Sequence, residues 1–169
     1  MIDLSIRKAT LEDAEAIAII NVKTWQCAYR GKMPNEILDS MDVQHKKEGW
    51  EEWIKADYPK TYIFVAEVND MIVGYCYCGG SKGTEDLGEI YSLYVDPEFQ
   101  GQGVGSALME NAFQFMKKQQ FKSAILWVLT SNEPTIKFYE HKGWKNTGET
   151  KIDTRWNMEL HETKYRIDL

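Results

Sequence analysis

The chain has 169 residues, enough for one domain with a substantial core, and no repeat, low-complexity tract or linker divides it. With 43% hydrophobic and 27% charged residues, it excludes the disordered and fibrous classes and reads as an ordinary globular domain. A net charge of −6 argues against nucleic acid as the main partner, and is compatible with a cationic acceptor such as a polyamine.

Leu4 and Ile6 alternate with polar neighbours and predict a short first strand. Thr10-Leu11-Glu12-Asp13 is a helix-start signature, with Thr10 as cap and Asp13 reaching back. Ile17, Ile20 and Trp25 then fall on helical spacing, so a first helix is expected to run to about Ala28. Residues 36–55 form a second helical region carrying Trp50 and Trp53, ended by Tyr58-Pro59. Residues 62–68 and 71–78 are two strands around Asn69-Asp70, a hairpin. Residues 79–87 are a polar loop before an apolar strand over 89–95. A helix over 105–118 places Leu108, Ala112, Phe115 and Met116 on one stripe with Val104. A buried strand over 124–130 leads to Ser131-Asn132-Glu133-Pro134 and a short helix. Pro134 suits its first position and Gly143 the residue just past its end. Two more strands are expected near 144–149 and 156–167. The whole chain, 1–169, is therefore expected to be a single α/β domain with a mixed sheet.

The segment from Glu89 to Ser106 is the most informative: strand, turn, then Gly101, Gly103 and Gly105 opening directly onto a helix. Glycines let backbone N–H groups approach a ligand closely, and the helix start adds unpaired donors and a positive dipole end. That combination suits a phosphate or pyrophosphate. A P-loop is excluded because no lysine follows the glycines. A dinucleotide fingerprint fails because Ser106 stands where its third glycine belongs. Gln100-x-x-Gly103-x-Gly105 remains; taken alone, it could also be a turn that only joins strand to helix.

With the preceding Leu93-Tyr94-Val95-Asp96-Pro97, this loop resembles the acetyl-CoA pyrophosphate loop of the GCN5-related N-acetyltransferase (GNAT) superfamily. A second stretch, Asn132 followed by Phe138-Tyr139 and Gly143-Trp144, is similar to the same family in order and spacing. The resemblance implies the GNAT fold: a mixed, mostly antiparallel sheet of about seven strands splayed at its middle, flanked by about four helices. It implies that Gln100, Gly101, Gln102, Gly103, Val104, Gly105 and Ser106 wrap the pyrophosphate of acetyl-CoA. Leu93, Tyr94 and Val95 would pair with the pantetheine arm, and the Val95 N–H would donate to the thioester oxygen. Asn132 would bond the same arm, unless it is only a turn or cap residue. Tyr139 would protonate the departing thiolate, its alternative being a core aromatic beside Phe138. Glu89 matches a position where relatives carry a general base acting through water. Glu85 and Asp86 are nearby alternatives, and Glu89 could also simply flank a loop.

Trp25-Gln26-Cys27-Ala28-Tyr29-Arg30-Gly31 resembles the end of the first helix in one bacterial branch, where it overlies the acceptor pocket. Trp25 and Tyr29 fit that role and fit core aromatics one helical turn apart equally well. The implied activity is direct acetyl transfer to a primary amine of a small molecule, polyamine-like, or of a peptide or protein. A non-catalytic acyl-CoA sensor is the alternative. Homodimers are frequent in the family.

Cys27, Cys76 and Cys78 are an odd number with no secretory signal or targeting segment, and predict a reduced, cytoplasmic protein. His45, His141 and His161 are scattered, so no metal is expected. Residues 14–22 are interrupted by Glu15 and Asn21 and are too short to enter a membrane as a span.

Overall fold

The computed structural model describes residues 2–169. Its strands are β1 (Leu4–Lys8), β2 (Thr61–Val68), β3 (Met71–Gly80), β4 (Leu87–Val95), β5 (Ser123–Leu129), β6 (Lys145–Arg155) and β7 (Met158–Asp168). The helices are α1 (Ala14–Tyr29), α2 (Asn35–Asp39), α3 (Val43–Ala56), α4 (Val104–Lys118) and α5 (Glu133–His141). One seven-stranded sheet runs β1-β2-β3-β4-β5-β7-β6. Every neighbouring pair is antiparallel except β4 and β5, which are parallel and joined through α4.

The two faces of the sheet are covered by different helices. Alternation along β2 sends Ile63 and Val65 to the α1 side, where they meet Ile17, Ile20, Tyr75 and the α3 residues Trp50 and Ile54. Phe64 and Ala66 point the other way, into a larger core with Leu108, Met109 and Met116 of α4 and Tyr139 and Trp144 from the α5 region. Gly74 allows this approach: a Cβ there would lie 3.1 Å from Leu108 and 3.2 Å from Val104. On the other face Arg7 anchors the start of α1, donating to Asp13 at 2.7 and 2.9 Å and to Glu67 at 2.9 and 3.0 Å.

Pairing between β4 and β5 stops early. It covers Leu87 to Ile90 against Ser123 to Leu126 and goes no further. At that point β4 carries a bulge: Tyr77 opposes Ser92 while Cys78 opposes Ile90, leaving Tyr91 as the extra residue. A bulge bends its strand and ends regular pairing. Residues 91–95 therefore stay bonded to β3 while β5 departs, and the sheet opens at its middle.

Several boundaries differ from expectation. The region 36–55 is two helices, which makes five α-helices among the described residues, because Asp42 accepts the Gln44 N–H at 2.9 Å and caps a new start. The first helix reaches Tyr29. Trp144 belongs to the core rather than to a strand, with its indole N–H on the Met109 sulfur at 3.4 Å. β6 begins at Lys145 and extends to Arg155, well past residue 149. Trp156 and Asn157, both at positive φ, form the two-residue turn that follows, so β7 starts at Met158. The Asn69-Asp70 hairpin uses the same left-handed pair.

Candidate active site

A cavity of about 930 Å³ passes through the gap between β4 and β5. On the α4/α5 face it is lined by the glycine loop and by Phe138 and Tyr139. On the α1/α3 face it is lined by Trp25, Tyr29, Lys46 and Arg155, among others. Leu93, Tyr94 and Val95 form the wall between the two ends.

The loop is built from local bonds. Asp96 accepts the Glu98 N–H at 2.9 Å, and Lys23 of α1 clamps the same carboxylate at 2.8 and 2.9 Å. The Gln100 amide donates to the Val95 carbonyl at 3.1 Å, turning the chain back on the strand end. Gly101 and Gly103 take φ of 74° and 87°, the left-handed region that disfavours any side chain. α4 then starts at Val104 with its first N–H groups lacking intrahelical acceptors. Gln100, Gly101, Gly103, Gly105 and Ser106 line the cavity. Gln102 and Val104 do not: the Gln102 amide bonds the Glu98 carbonyl, and Val104 is buried against the sheet.

Tyr139 sits on α5 with its ring packed beside Phe138 and Trp144. It is buried, and Tyr94 is close enough to disfavour its ionisation further. Burial foremost, then Tyr94, holds the Tyr139 proton far above the usual phenol range. Asn132 stands just before α5, yet its side chain caps nothing. Its amide instead donates to the Tyr29 hydroxyl at 3.2 Å, linking α5 to α1 across the gap.

Trp25 and Tyr29 are both core-packed and cavity-lining. Their rings are 4.9 Å apart, Tyr29 is buried, and the Trp25 indole donates to the Tyr94 hydroxyl at 3.2 Å. Glu89 lies outside the cavity lining, in the paired half of β4. Ser81 donates to its carboxylate at 3.0 Å, and burial raises its pKa more than Ser81 and the lysines 151, 164 and 82 lower it. Being two residues before Tyr91, which lines the cavity, it borders the site rather than entering it.

Sequence reading missed Lys46, Trp127, Arg155, Leu160 and Glu162, all of which line the cavity. Alternation along β7 would have put Leu160 and Glu162 on one face. Nothing local marks Lys46 or Arg155, which tertiary packing alone brings to the mouth.

Residues 23–144 match the model of the Acetyltransferase (GNAT) family. The chain belongs to this family. An uncharacterized N-acetyltransferase of Methanocaldococcus jannaschii is 32% identical over 150 residues, covering 83% of this chain. The match spans only 60% of that relative's length. The spermidine N(1)-acetyltransferase of Thermoplasma acidophilum is 24% identical over 145 residues, covering 84% of this chain and 88% of the relative. Among solved structures, the PaiA N-acetyltransferase of T. acidophilum in complex with coenzyme A superposes with a TM-score of 0.76 at 24% identity. That superposition covers 96% of this chain and 99% of the other, and it establishes likeness of fold. The opened sheet is thus a GNAT sheet. Among the described residues no helix is long and apolar enough to cross a membrane.

Proposed function

We propose that this GNAT protein is an acetyl-CoA-dependent N-acetyltransferase that transfers acetyl directly to a primary amine of a small molecule or peptide. The observation that carries the reading is the through-going cavity, which joins a phosphate-type loop on one face to an aromatic mouth on the other. The residues suit the coenzyme. The free edge of β4 over 91–95 offers backbone donors and acceptors to a chain of amides, and buried peptide groups need partners. The left-handed glycines and the first turn of α4 suit a pyrophosphate. Acetyl-CoA supplies the activated thioester.

The chain's own groups then handle protons. The acceptor arrives as an ammonium near neutral pH and must lose a proton before its nitrogen can attack. Glu89, whose carboxyl burial pushes above the ordinary glutamate range, accepts that proton through water. One N–C bond forms and one C–S bond breaks. Tyr139, whose proton burial secures, gives it to the leaving sulfur. Asn132 and Tyr29 bridge the two faces, so the coenzyme end and the acceptor end are positioned together.

The test is thiol release from acetyl-CoA with a panel of amines, for the wild type and for Tyr139→Phe. Turnover should fall about 100-fold in the variant, the lower range for removing a general acid, while the KM for acetyl-CoA stays unchanged. Tight coenzyme binding with no release from any amine would make the chain a sensor instead.

A further inference from the structure

The acceptor end of the cavity has an uneven charge pattern. Four charged side chains line it on the α1/α3 face: Lys32, Lys46, Arg155 and Glu162. Glu162, the sole carboxylate among the lining residues described, already lies 3.4 Å from Lys151 on the neighbouring strand. Its side chain is 18% exposed, and it stands near the hydroxyls of Tyr29 and Tyr94, beside the gap.

The cations come from other elements, and Arg155 as well as Glu162 acts on the Tyr94 hydroxyl at the gap. Lys46 comes from α3, and Arg155 from the last position of β6, next to Trp156, whose ring meets Trp25 edge-on at 5.8 Å. Asp153 takes the Nε of Arg155 at 2.7 Å. Among the described residues no carboxylate pairs with Lys46: burial first, and then Arg155, both disfavour its charge. Asp153 offsets Arg155, but Lys46 keeps its charge half-covered beside a second cation, which is unfavourable unless something anionic joins it. The fold accepts that cost at the place where the acceptor must enter.

We infer that the acceptor is an amine that also carries an anionic group, a carboxylate, phosphinate or phosphonate. Lys46 and Arg155 hold the anion, and Glu162 holds the ammonium close to the gap. This rests on the N-acetyltransferase reading and narrows it. Lys32, Lys46 and Arg155 outnumber the single acid on this face of the cavity, and that acid already has a lysine partner. A polyamine fits poorly, because its second ammonium would meet Lys46 and Arg155.

The experiment uses matched pairs: standard L-amino acids against their carboxamides, and aminoalkyl phosphonates against their uncharged diesters, with spermidine as a polycation. Each is followed by thiol release and, separately, by calorimetric binding to the protein saturated with coenzyme A. The anionic member of a pair should exceed the neutral one by about tenfold or more in kcat/KM and in affinity, the scale of a charge-assisted contact. Arg155→Met and Lys46→Met should each erase most of that preference while leaving the KM for acetyl-CoA unchanged. Lys46→Glu should reverse it toward the carboxamide or spermidine. Equal turnover of acids and carboxamides, or a preference for spermidine in the wild type, overturns the inference and leaves the N-acetyltransferase reading intact. Selective binding of the anionic members without any thiol release supports this acceptor class and overturns the transferase reading. Neither selective binding nor release overturns both.

Discussion

The two halves of β4 have similar apolar character and opposite fates. Residues 87–90 are bonded on both edges, to β3 and β5, and Ile90 and Leu126 pair as buried residues where the closed half meets the cavity. Residues 91–95 keep β3 and lose β5, and Leu93 and Tyr94 line the cavity wall. The step between them is a single extra residue, Tyr91, held by a hydrogen bond from its hydroxyl to the Gly80 carbonyl. One inserted residue therefore converts a central strand into an internal sheet edge. Such an edge is stable only when other amides or water can reach it. The closed half secures the fold, and the open half leaves backbone groups without a β5 partner.

The largest effect that would separate the halves is on stability. Leu126→Ala, in the closed half, should cost about 3 kcal/mol, because it removes a fully buried side chain from a packed core. Leu93→Ala, on the cavity wall, should cost about 1 kcal/mol, since Leu93 packs against the core but is only half-buried there. Denaturant unfolding measures both, and equal costs would mean that the open half is core after all. The second effect is on proton transfer from the border between the halves. Burial puts the Glu89 carboxyl above the ordinary glutamate range, so its base form is lost as pH falls through that raised value. The wild-type kcat/KM should therefore rise with pH across this range and then level off. Glu89→Gln should remove the rise and lower the plateau about 100-fold. If the acidic limb survives in Glu89→Gln and disappears in Glu162→Gln, the base is the carboxylate inside the cavity.

The glycine loop and the helix proposed to hold the coenzyme were legible as structure because their parts are contiguous. Gln100 to Ser106 build one turn and one helix start, and Asn132 to Trp144 build one helix with its approaches, so spacing along the chain is spacing in space. The acceptor end is assembled differently. Trp25, Lys46, Arg155 and Glu162 come from α1, α3, β6 and β7, and only the packing of helices on an opened sheet brings them together. Sheet content was readable from apolar alternation, and the left-handed Asn69-Asp70 turn from its residue types. The Trp156-Asn157 turn was not, because tryptophan rarely adopts positive φ and gave a strand signal instead. The break between α2 and α3 had local marks in Ser40, which ends α2, and Asp42, which caps α3, but the helical residues on both sides were read as one region.

The smallest effect sharpens the comparison at its outer end, where the open half runs into the loop. A Cβ built on Gly103 meets no atom within 4 Å, so packing does not explain a glycine there. Two reasons remain: a φ of 87°, which costs a non-glycine residue about 1–2 kcal/mol, and the need for close backbone approach to the ligand. They separate by measurement. Gly103→Ala should lower unfolding stability by about 1 kcal/mol through the dihedral alone. If the phosphates lie against this turn, the same methyl should also raise the KM for acetyl-CoA by about tenfold, the equivalent of about 1.4 kcal/mol. Gly31, at φ 82° and equally free of neighbours, lies on the other face and serves as the control. Gly31→Ala should show the stability loss without the change in KM. Identical KM values for the two variants would move the coenzyme off this loop.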